Sequence, residues 1–424
     1  MNVPESAPVR GDASAIRHHE YPNGLVLVAE SMPGVQSAAF TFLLPAGSAF
    51  EPAEAGGTAA MLSEWVTRGA GDFDSRDLLT ALDNLGVSHA EGAQTLHTSV
   101  SAATLARSLV PTLEIYADIL LRPHLDEEEI EPIRALALQS LQGLEDDPGT
   151  KVIYELRQRH FPDPWGRRAS GTTAGVEAAT AQGMRDFHRR AYRPNGAILG
   201  VAGAIDWPAL RDAVGHLFGD WSRGPEPAVV ERPAGPAREQ IPKETQQTQI
   251  ALAYPTATVA GPDYYPARAA AAILGGYASA RLFTEVREKR GLCYSVYASY
   301  EGQKDRAAVI CYAGSSADRA QETLDVTLAE IARLSRDGVV AEELDMMRAG
   351  LKSSLIMQQE SSMSRSASLA SDWYYLARVR TLDEISAALD ALTPATVNDF
   401  LARQDTGRMT IVTLGPSPLE IPGV

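Results

Sequence analysis

Gly56-Gly57-Thr58-Ala59-Ala60-Met61-Leu62-Ser63-Glu64-Trp65-Val66-Thr67-Arg68-Gly69 reads as an alanine-rich amphipathic helix bounded by glycines. Two strand-like runs precede it: Gly24–Ala29, after the turn signal Pro22-Asn23-Gly24, and Ser37–Leu44. A second helix is expected over Ser75–Leu85, stopped by Gly86, and short strands over 87–103. A helix then runs from Thr104 to Leu121, closed by Pro123. Another begins near Asp126, capped by that Asp, with the acidic first turn Glu127-Glu128-Glu129. The same order returns later. Gln249–Tyr254 reads as a strand, Tyr264–Leu274 as an alanine-rich helix, and Ala280–Lys289 as a helix stopped by Gly291. Strands over 293–300 and 307–313 follow, then a helix from Ser316 to Leu334 and another beginning at Ala341. Residue by residue the halves match weakly, as Leu85–Ala90 against Arg290–Ser295 shows; the order of elements carries the duplication. Hairpin strands mixed with helix pairs predict α+β layers, not a doubly wound parallel sheet.

Between the halves, 223–242 holds five prolines and little periodic pattern, and reads as a semi-rigid linker. The expected organisation is an N-terminal domain over 1–222, that linker, and a C-terminal domain over 243–424. A chain of 424 residues is too long for one compact core. Its net charge of −16 argues against nucleic acid, which needs a basic face, and suits either solubility or basic peptides. No apolar run approaches the roughly 20 residues of a membrane span. Met1–Glu20 mixes charges with small residues and has no apolar stretch of the secretory kind. The expected compartment is the cytoplasm, or the periplasm if a leader is removed upstream. Cys293 and Cys311, 18 residues apart and outside any C-x-x-C, are expected as free thiols, with a spacing that suits neighbouring strands. The histidines at 18, 19, 89, 97, 124, 160, 188 and 216 form no H-x-x-H, H-x₃-H or H-x-H, so no sequence-local metal site is expected.

Six further segments resemble, in order, the inverzincin peptidases of the pitrilysin and mitochondrial processing peptidase type. They are Tyr21-Pro-Asn-Gly-Leu25; Ala46-Gly-Ser-Ala-Phe-Glu51; Pro162-Asp-Pro-Trp-Gly166 with Gly171-Thr172; Asp186-Phe-His-Arg-Arg-Ala-Tyr-Arg-Pro-Asn195 with Gly203-Ala-Ile-Asp206; Leu274-Gly-Gly-Tyr-Ala-Ser-Ala-Arg-Leu-Phe283; and Val286-Arg-Glu-Lys-Arg-Gly-Leu-Cys-Tyr-Ser-Val296. The last two are the most specific. The resemblance implies two homologous domains, each a mostly antiparallel sheet packed with helices, together forming half of a clamshell.

In that family an H-x-x-E-H helix puts two zinc-binding His and a general base on one face. The ligand positions fall here on Ala60 and Glu64, the base on Ser63, and the third ligand near Gln139-Ser140, at Ser140. A methyl group cannot ligate zinc and a hydroxymethyl group cannot replace a carboxylate base. Nothing in the spacing joins Glu64 to His89 or His97. The resemblance also implies an Arg and, seven residues later, a Tyr that reach the scissile region; Arg287 and Tyr294 have that spacing. A guanidinium offers a planar fork to a carbonyl or carboxylate, and a phenol can donate to an oxyanion. The alternative reading pairs Arg287 with Glu285 or Glu288 and buries half of Tyr294 in a strand. Ser88, His89, Ala90 and Glu91 fall, by resemblance, on a strand edge to which an extended peptide adds. Gly275-Gly276 only hints at the glycine-rich substrate loop of the processing-peptidase α-subunit.

Together these imply a non-catalytic, substrate-binding subunit of a heteromeric zinc metalloendopeptidase that degrades or processes unfolded peptides. The expected cofactor is none in this chain, with zinc in an H-x-x-E-H partner subunit. The expected ligands are peptides, and the fold allows a homodimer in isolation. The rival is a purely structural scaffold of the same fold, like the core subunits of a respiratory complex. A stand-alone peptidase with an unrecognised metal site is disfavoured by the missing histidine pairs.

Overall fold

The computed structural model describes residues 16–421, so the leader reading falls outside the described residues over 1–15. The first half contains β1 (Ile16–Glu20), β2 (Val26–Ser31), β3 (Ser37–Leu44), α1 (Thr58–Trp65), β4 (Gly69–Ala70), β5 (Phe73–Asp74), α2 (Ser75–Asn84), β6 (Ser88–Ala93), β7 (Thr98–Leu105), α3 (Leu109–Leu121), α4 (Ile130–Glu145), α5 (Pro148–His160), α6 (Thr173–Ala178), α7 (Ala181–Ala191), β8 (Ile198–Gly203) and α8 (Trp207–Phe218). The second contains β9 (Arg238–Pro242), β10 (Gln247–Pro255), α9 (Tyr264–Gly275), a π turn (Phe283–Glu288), β11 (Cys293–Gly302), β12 (Ala307–Ser316), α10 (Ala320–Asp337), α11 (Ala341–Gln359), α12 (Ser362–Leu376), α13 (Leu382–Asp390), α14 (Pro394–Arg403) and β13 (Thr410–Gly415). Among the described residues no helix is long and apolar enough to cross a membrane.

The duplication appears in the strand order. The first sheet runs β1-β2-β8-β3-β7-β6 and the second β9-β13-β10-β12-β11. Setting β1 aside, they correspond strand for strand. Even the parallel pairs match, β2 with β8 and β9 with β13, while the other neighbours are antiparallel. The central strands carry near-continuous apolar runs because both faces are covered. Six of the eight residues of β3 are buried, and all six of β8. The edge strand β6, Ser-His-Ala-Glu-Gly-Ala, has no buried residue.

One face of each sheet packs on helices of its own half. Phe40, Phe42, Leu62, Trp65, Tyr116 and Phe218 lie in the first core; Leu252, Leu274, Val296, Leu324 and Ile411 lie in the second. The other face takes a helix from the opposite half. Val152 and Leu156 of α5 pack on Ala251, Ala253, Ile310, Val412 and Leu414. Leu369 and Ala370 of α12 pack on Val28, Ile198 and Ala202. Polar groups fasten both exchanges. Arg157 grips Glu301 at 2.6 and 2.9 Å, and His160 Nδ1 meets Thr410 Oγ1 at 3.0 Å. On the other side Thr41 and Ser366 share a hydrogen bond of 2.9 Å, and buried Arg365 pairs with buried Glu30. Gly200 is needed beneath α12, because a Cβ there would lie 2.2 Å from Ser366 O.

The boundaries differ from the sequence reading in several places; Ser316, expected to open a helix, ends β12, and α10 starts at Ala320. Thr104 and Leu105 end β7, with Thr104 Oγ1 donating to Leu85 O at 2.8 Å, and α3 starts only at Leu109. Glu127–Glu129 form a short 3₁₀ turn before α4, and the Asp126 side chain makes no cap; its carbonyl accepts Trp65 Nε1 at 3.0 Å. The expected helix over 280–289 is a π turn over Phe283–Glu288. Arg238–Pro242, read as linker, is the edge strand of the second sheet, a place where a strand-end proline is tolerated.

Candidate functional site

The start of α1 is where two distant sequence motifs meet. Gly57 sits at φ +110 as N-cap, a conformation other L-residues adopt only under strain. The buried Glu51 carboxylate accepts from Gly57 N at 3.0 Å and Ala59 N at 2.9 Å, two donors that the first helical turn leaves free. Burial pushes the Glu51 carboxyl up to about 7, against those two hydrogen bonds and Arg167, which lower it. Gly171 closes on the same point, since a Cβ there would lie 2.0 Å from Gly56 O. Ala46–Glu51 and Gly171-Thr172 therefore act together, holding the helix that would carry a metal.

The chemistry on that helix is absent. Ala60 offers only a methyl group, and Ser63 Oγ turns back to donate to Ala60 O at 2.8 Å. Glu64 is exposed and committed to Arg68 at 2.6 Å. Ser140 lies exposed on α4, which packs against α1. Among the described residues no group of three or more His, Cys, Asp or Glu is placed to hold a metal ion. The donor set does not fit a zinc centre.

β6, which carries Ser88, His89, Ala90 and Glu91, packs against α1 and among the described residues has only β7 as a sheet neighbour, so no described strand pairs with its outer edge. His89 Nδ1 lies 3.1 Å from Glu91, and Tyr116 Oη donates to Glu91 Oε1 at 2.6 Å, which holds that carboxylate against the sheet. His97 is not part of this group. It is buried edge-on against the Tyr374 ring at 4.3 Å, and burial pushes its imidazole down to about 4.

Arg287 and Tyr294 are brought together. The π turn delivers Arg287, and Gly291, at φ +60, reverses the chain into β11. A register shift between Cys293 and Ser295 leaves Tyr294 standing out of the ladder, 81% exposed. The guanidinium lies between two rings, 4.6 Å from the Phe283 centroid and 5.1 Å from that of Tyr294. The pairing of Arg287 with Glu285 does not occur, because Glu285 holds Lys289 at 2.6 Å and Arg290 at 2.7 Å. Among the described residues Arg287 has no ion-pair partner. Phe283 was missed by the sequence reading; its offset of four from Arg287 on a helical turn was the available signal. Gly275 is buried beneath β11, where a Cβ would lie 2.3 Å from Ala298 N, which is a packing role. Cys293 and Cys311 do fall on neighbouring strands, but opposite Ser315 and Ala298, as free thiols that burial pushes up to about 11 and about 12.

A family profile described as "Insulinase (Peptidase family M16)" matches residues 26–165, and one described as "Peptidase M16 inactive domain" matches 178–351. An uncharacterized zinc protease of Mycobacterium tuberculosis is 26% identical over 422 residues, 98% of this chain and 96% of that protein. One from Bacillus subtilis is 25% identical over 405 residues, 95% and 98% of the two chains. A peptidase M16 inactive domain from Pseudomonas fluorescens superposes with a TM-score of 0.88 at 22% identity, covering 96% of this chain and 99% of that one. A protease from Helicobacter pylori gives 0.87 at 18%, covering 96% and 100%. At these identities the two solved structures establish a common fold.

Proposed function

The chain belongs to the M16 peptidase family, and we propose that it is a non-catalytic, substrate-binding subunit of a heteromeric zinc metalloendopeptidase acting on unfolded peptides. The observation that carries this is the Arg287–Tyr294 pair. A guanidinium with no carboxylate partner, beside a phenol 81% exposed, adds little to stability. It suits a carbonyl or carboxylate arriving from outside. The partner is an H-x-x-E-H subunit that brings metal and base, and the two close as a clamshell around the peptide. This chain's part is to bind and orient. β6 offers an open edge for an extended segment, Arg287 a fork for a backbone carbonyl, and Tyr294 a donor to the oxygen that gains charge. The relatives named zinc proteases are a contrast here, because Ala60, Ser63 and Ser140 carry no carboxylate or imidazole and Glu64 is held by Arg68.

The test begins with a pull-down for an H-x-x-E-H partner and reconstitution of the pair. The chain alone is expected to bind no stoichiometric zinc and to cleave no peptide. In the complex Tyr294→Phe should lower kcat on the order of 10²-fold with assembly intact. Arg287→Ala should chiefly raise KM, with little rescue by Arg287→Lys. Changes below about twofold for both would leave the pair structural and favour the scaffold reading.

A further inference from the structure

Helices of the second half line a cavity of about 160 Å³ that is open to solvent at Arg268, Gln358 and Ser368. α9 contributes Tyr265 and Arg268, α11 contributes Leu351 and Leu355, and α13 contributes Ile385 and Leu389; Arg380 enters from the turn before α13. The volume is close to that of the roughly 150 Å³ apolar cavity that admits a benzene ring, so it suits a body of about six carbons. Leucine and isoleucine line it on α11 and α13, with the polar Ser354 and Gln358 of α11 and Ser368 of α12 among them, and the side of α9 is cationic and phenolic. None of its lining residues is acidic.

Two polar groups there have donors to spare. Asp372 takes up Arg380, accepting from Nη2 at 2.5 Å and Nε at 3.2 Å. Arg268 has no such carboxylate among the described residues; its Nη1 only donates to the Tyr264 phenol, at 3.1 Å. Tyr265 Oη is buried with the Arg380 guanidinium beside it, and its own proton has no acceptor among the described residues. Burial raises its pKa against the lowering influence of nearby Arg380, so it stays a protonated donor. A buried hydroxyl whose proton has no acceptor is costly, and the exposed Arg268 guanidinium on the same cavity makes that corner suited to an anion.

We propose that this cavity binds a small carboxylate with an aliphatic or aromatic body of about six carbons. The carboxylate meets Arg268 and Tyr265 Oη, and the body packs on Leu351, Leu355, Ile385 and Leu389. The inference is independent of the peptidase role. It connects to that role in one respect: α9 leads through 276–282 into the π turn that carries Arg287, so a ligand joining α9 to α13 would brace that side of the second half.

Calorimetric titration and urea denaturation of the full chain with hexanoate, hexanol and acetate test it. Hexanoate is expected to bind with a dissociation constant on the order of 1 mM and to raise the urea midpoint. Hexanol, lacking charge, and acetate, lacking a body, should bind at least about tenfold more weakly. Arg268→Gln, at an exposed position that does not endanger folding, should weaken hexanoate about tenfold or more and leave hexanol unchanged. Tyr265→Phe should weaken hexanoate as well. Hexanol binding as tightly as hexanoate, an Arg268→Gln variant with unaltered hexanoate affinity, or no binding at about 20 mM would each overturn the assignment.

Discussion

Removing the Arg365 guanidinium should destabilise both halves of the molecule at once. Arg365, on α12 of the second half, and Glu30, on β2 of the first, have side chains only 3% and 6% exposed. Nε and Nη2 both reach Glu30 Oε2 at 2.5 Å. Breaking a buried pair from one side typically costs about 3–5 kcal/mol, because the remaining charge is left without water or partner. Against the usual 5–15 kcal/mol of a folded domain this is a large fraction. Arg365→Met should therefore lower the unfolding free energy by about 3–5 kcal/mol, while Glu30→Leu combined with Arg365→Met should recover most of it. Equilibrium urea unfolding supplies the measurement, with two probes. The five tryptophans, four of them in the first half, report through fluorescence, and far-UV circular dichroism reports on all helices. Because α12 covers the first sheet and α5 the second, the two probes should give one coincident transition in the parent and in both variants. A loss below about 1 kcal/mol for Arg365→Met, or a double variant as unstable as the single, would refute the reasoning.

Two further outcomes follow from burial. His97, His160 and His188 are each pushed down to about 4, chiefly by burial, so they fold neutral; their stabilisation is present above about 6.5 and is lost as pH falls towards 4. Glu51 acts in the opposite sense, since its raised value gives stability that is present below about 4.5 and lost as pH rises to about 7. With three groups against one, the unfolding free energy from urea titration should fall on acidification from pH 6.5 to 4, by several kcal/mol at roughly 1.4 kcal/mol per unit per group; a flat or rising profile contradicts this. Separately expressed halves, cut between 227 and 230, should aggregate alone yet associate when co-expressed, because each lacks the helix that covers its sheet; two independently monomeric, folded halves by gel filtration would count against the exchange.

The parts legible in the sequence are those where burial leaves a one-dimensional trace. β3 was read at its observed bounds because a strand covered on both faces must be apolar throughout, and Ser37–Leu44 nearly is. The absence of imidazole from α1 was legible for a different reason: it needs no geometry to be noticed. The helix exchange left almost no trace. α5 shows apolar residues at Val152 and Leu156, which says that it packs but not on which half. α12, Ser-Met-Ser-Arg-Ser-Ala-Ser-Leu-Ala-Ser-Asp-Trp-Tyr-Tyr-Leu, reads by composition as a polar surface helix. Its Arg365, Ser366 and Asp372 are in fact buried, satisfied by Glu30, Thr41 and Arg380 from other elements. Such partners lie up to 335 residues away, beyond any periodicity.

The Arg287 site lies between these extremes and shows what local spacing omits. An offset of seven places Arg287 and Tyr294 on either side of a turn but says nothing of contact. Contact depends on a π turn in place of an α turn, on Gly291 reversing the chain at positive φ, and on a register shift that turns Tyr294 outward. Each is a departure from regular structure, and regular structure is all that hydrophobic periodicity encodes. Departures of this kind gather where a side chain must be aimed, since a strained or irregular backbone persists only when its surroundings over-determine it. Here they set a half-buried cation against a phenol exposed to solvent, while α1, with Ala60, Ser63 and Glu64, is an ordinary helix face. On the function proposed above, the contrast between the two places is the argument for a binding role over a mere scaffold: Tyr294 stands 81% exposed against an Arg287 that has no ion-pair partner among the described residues.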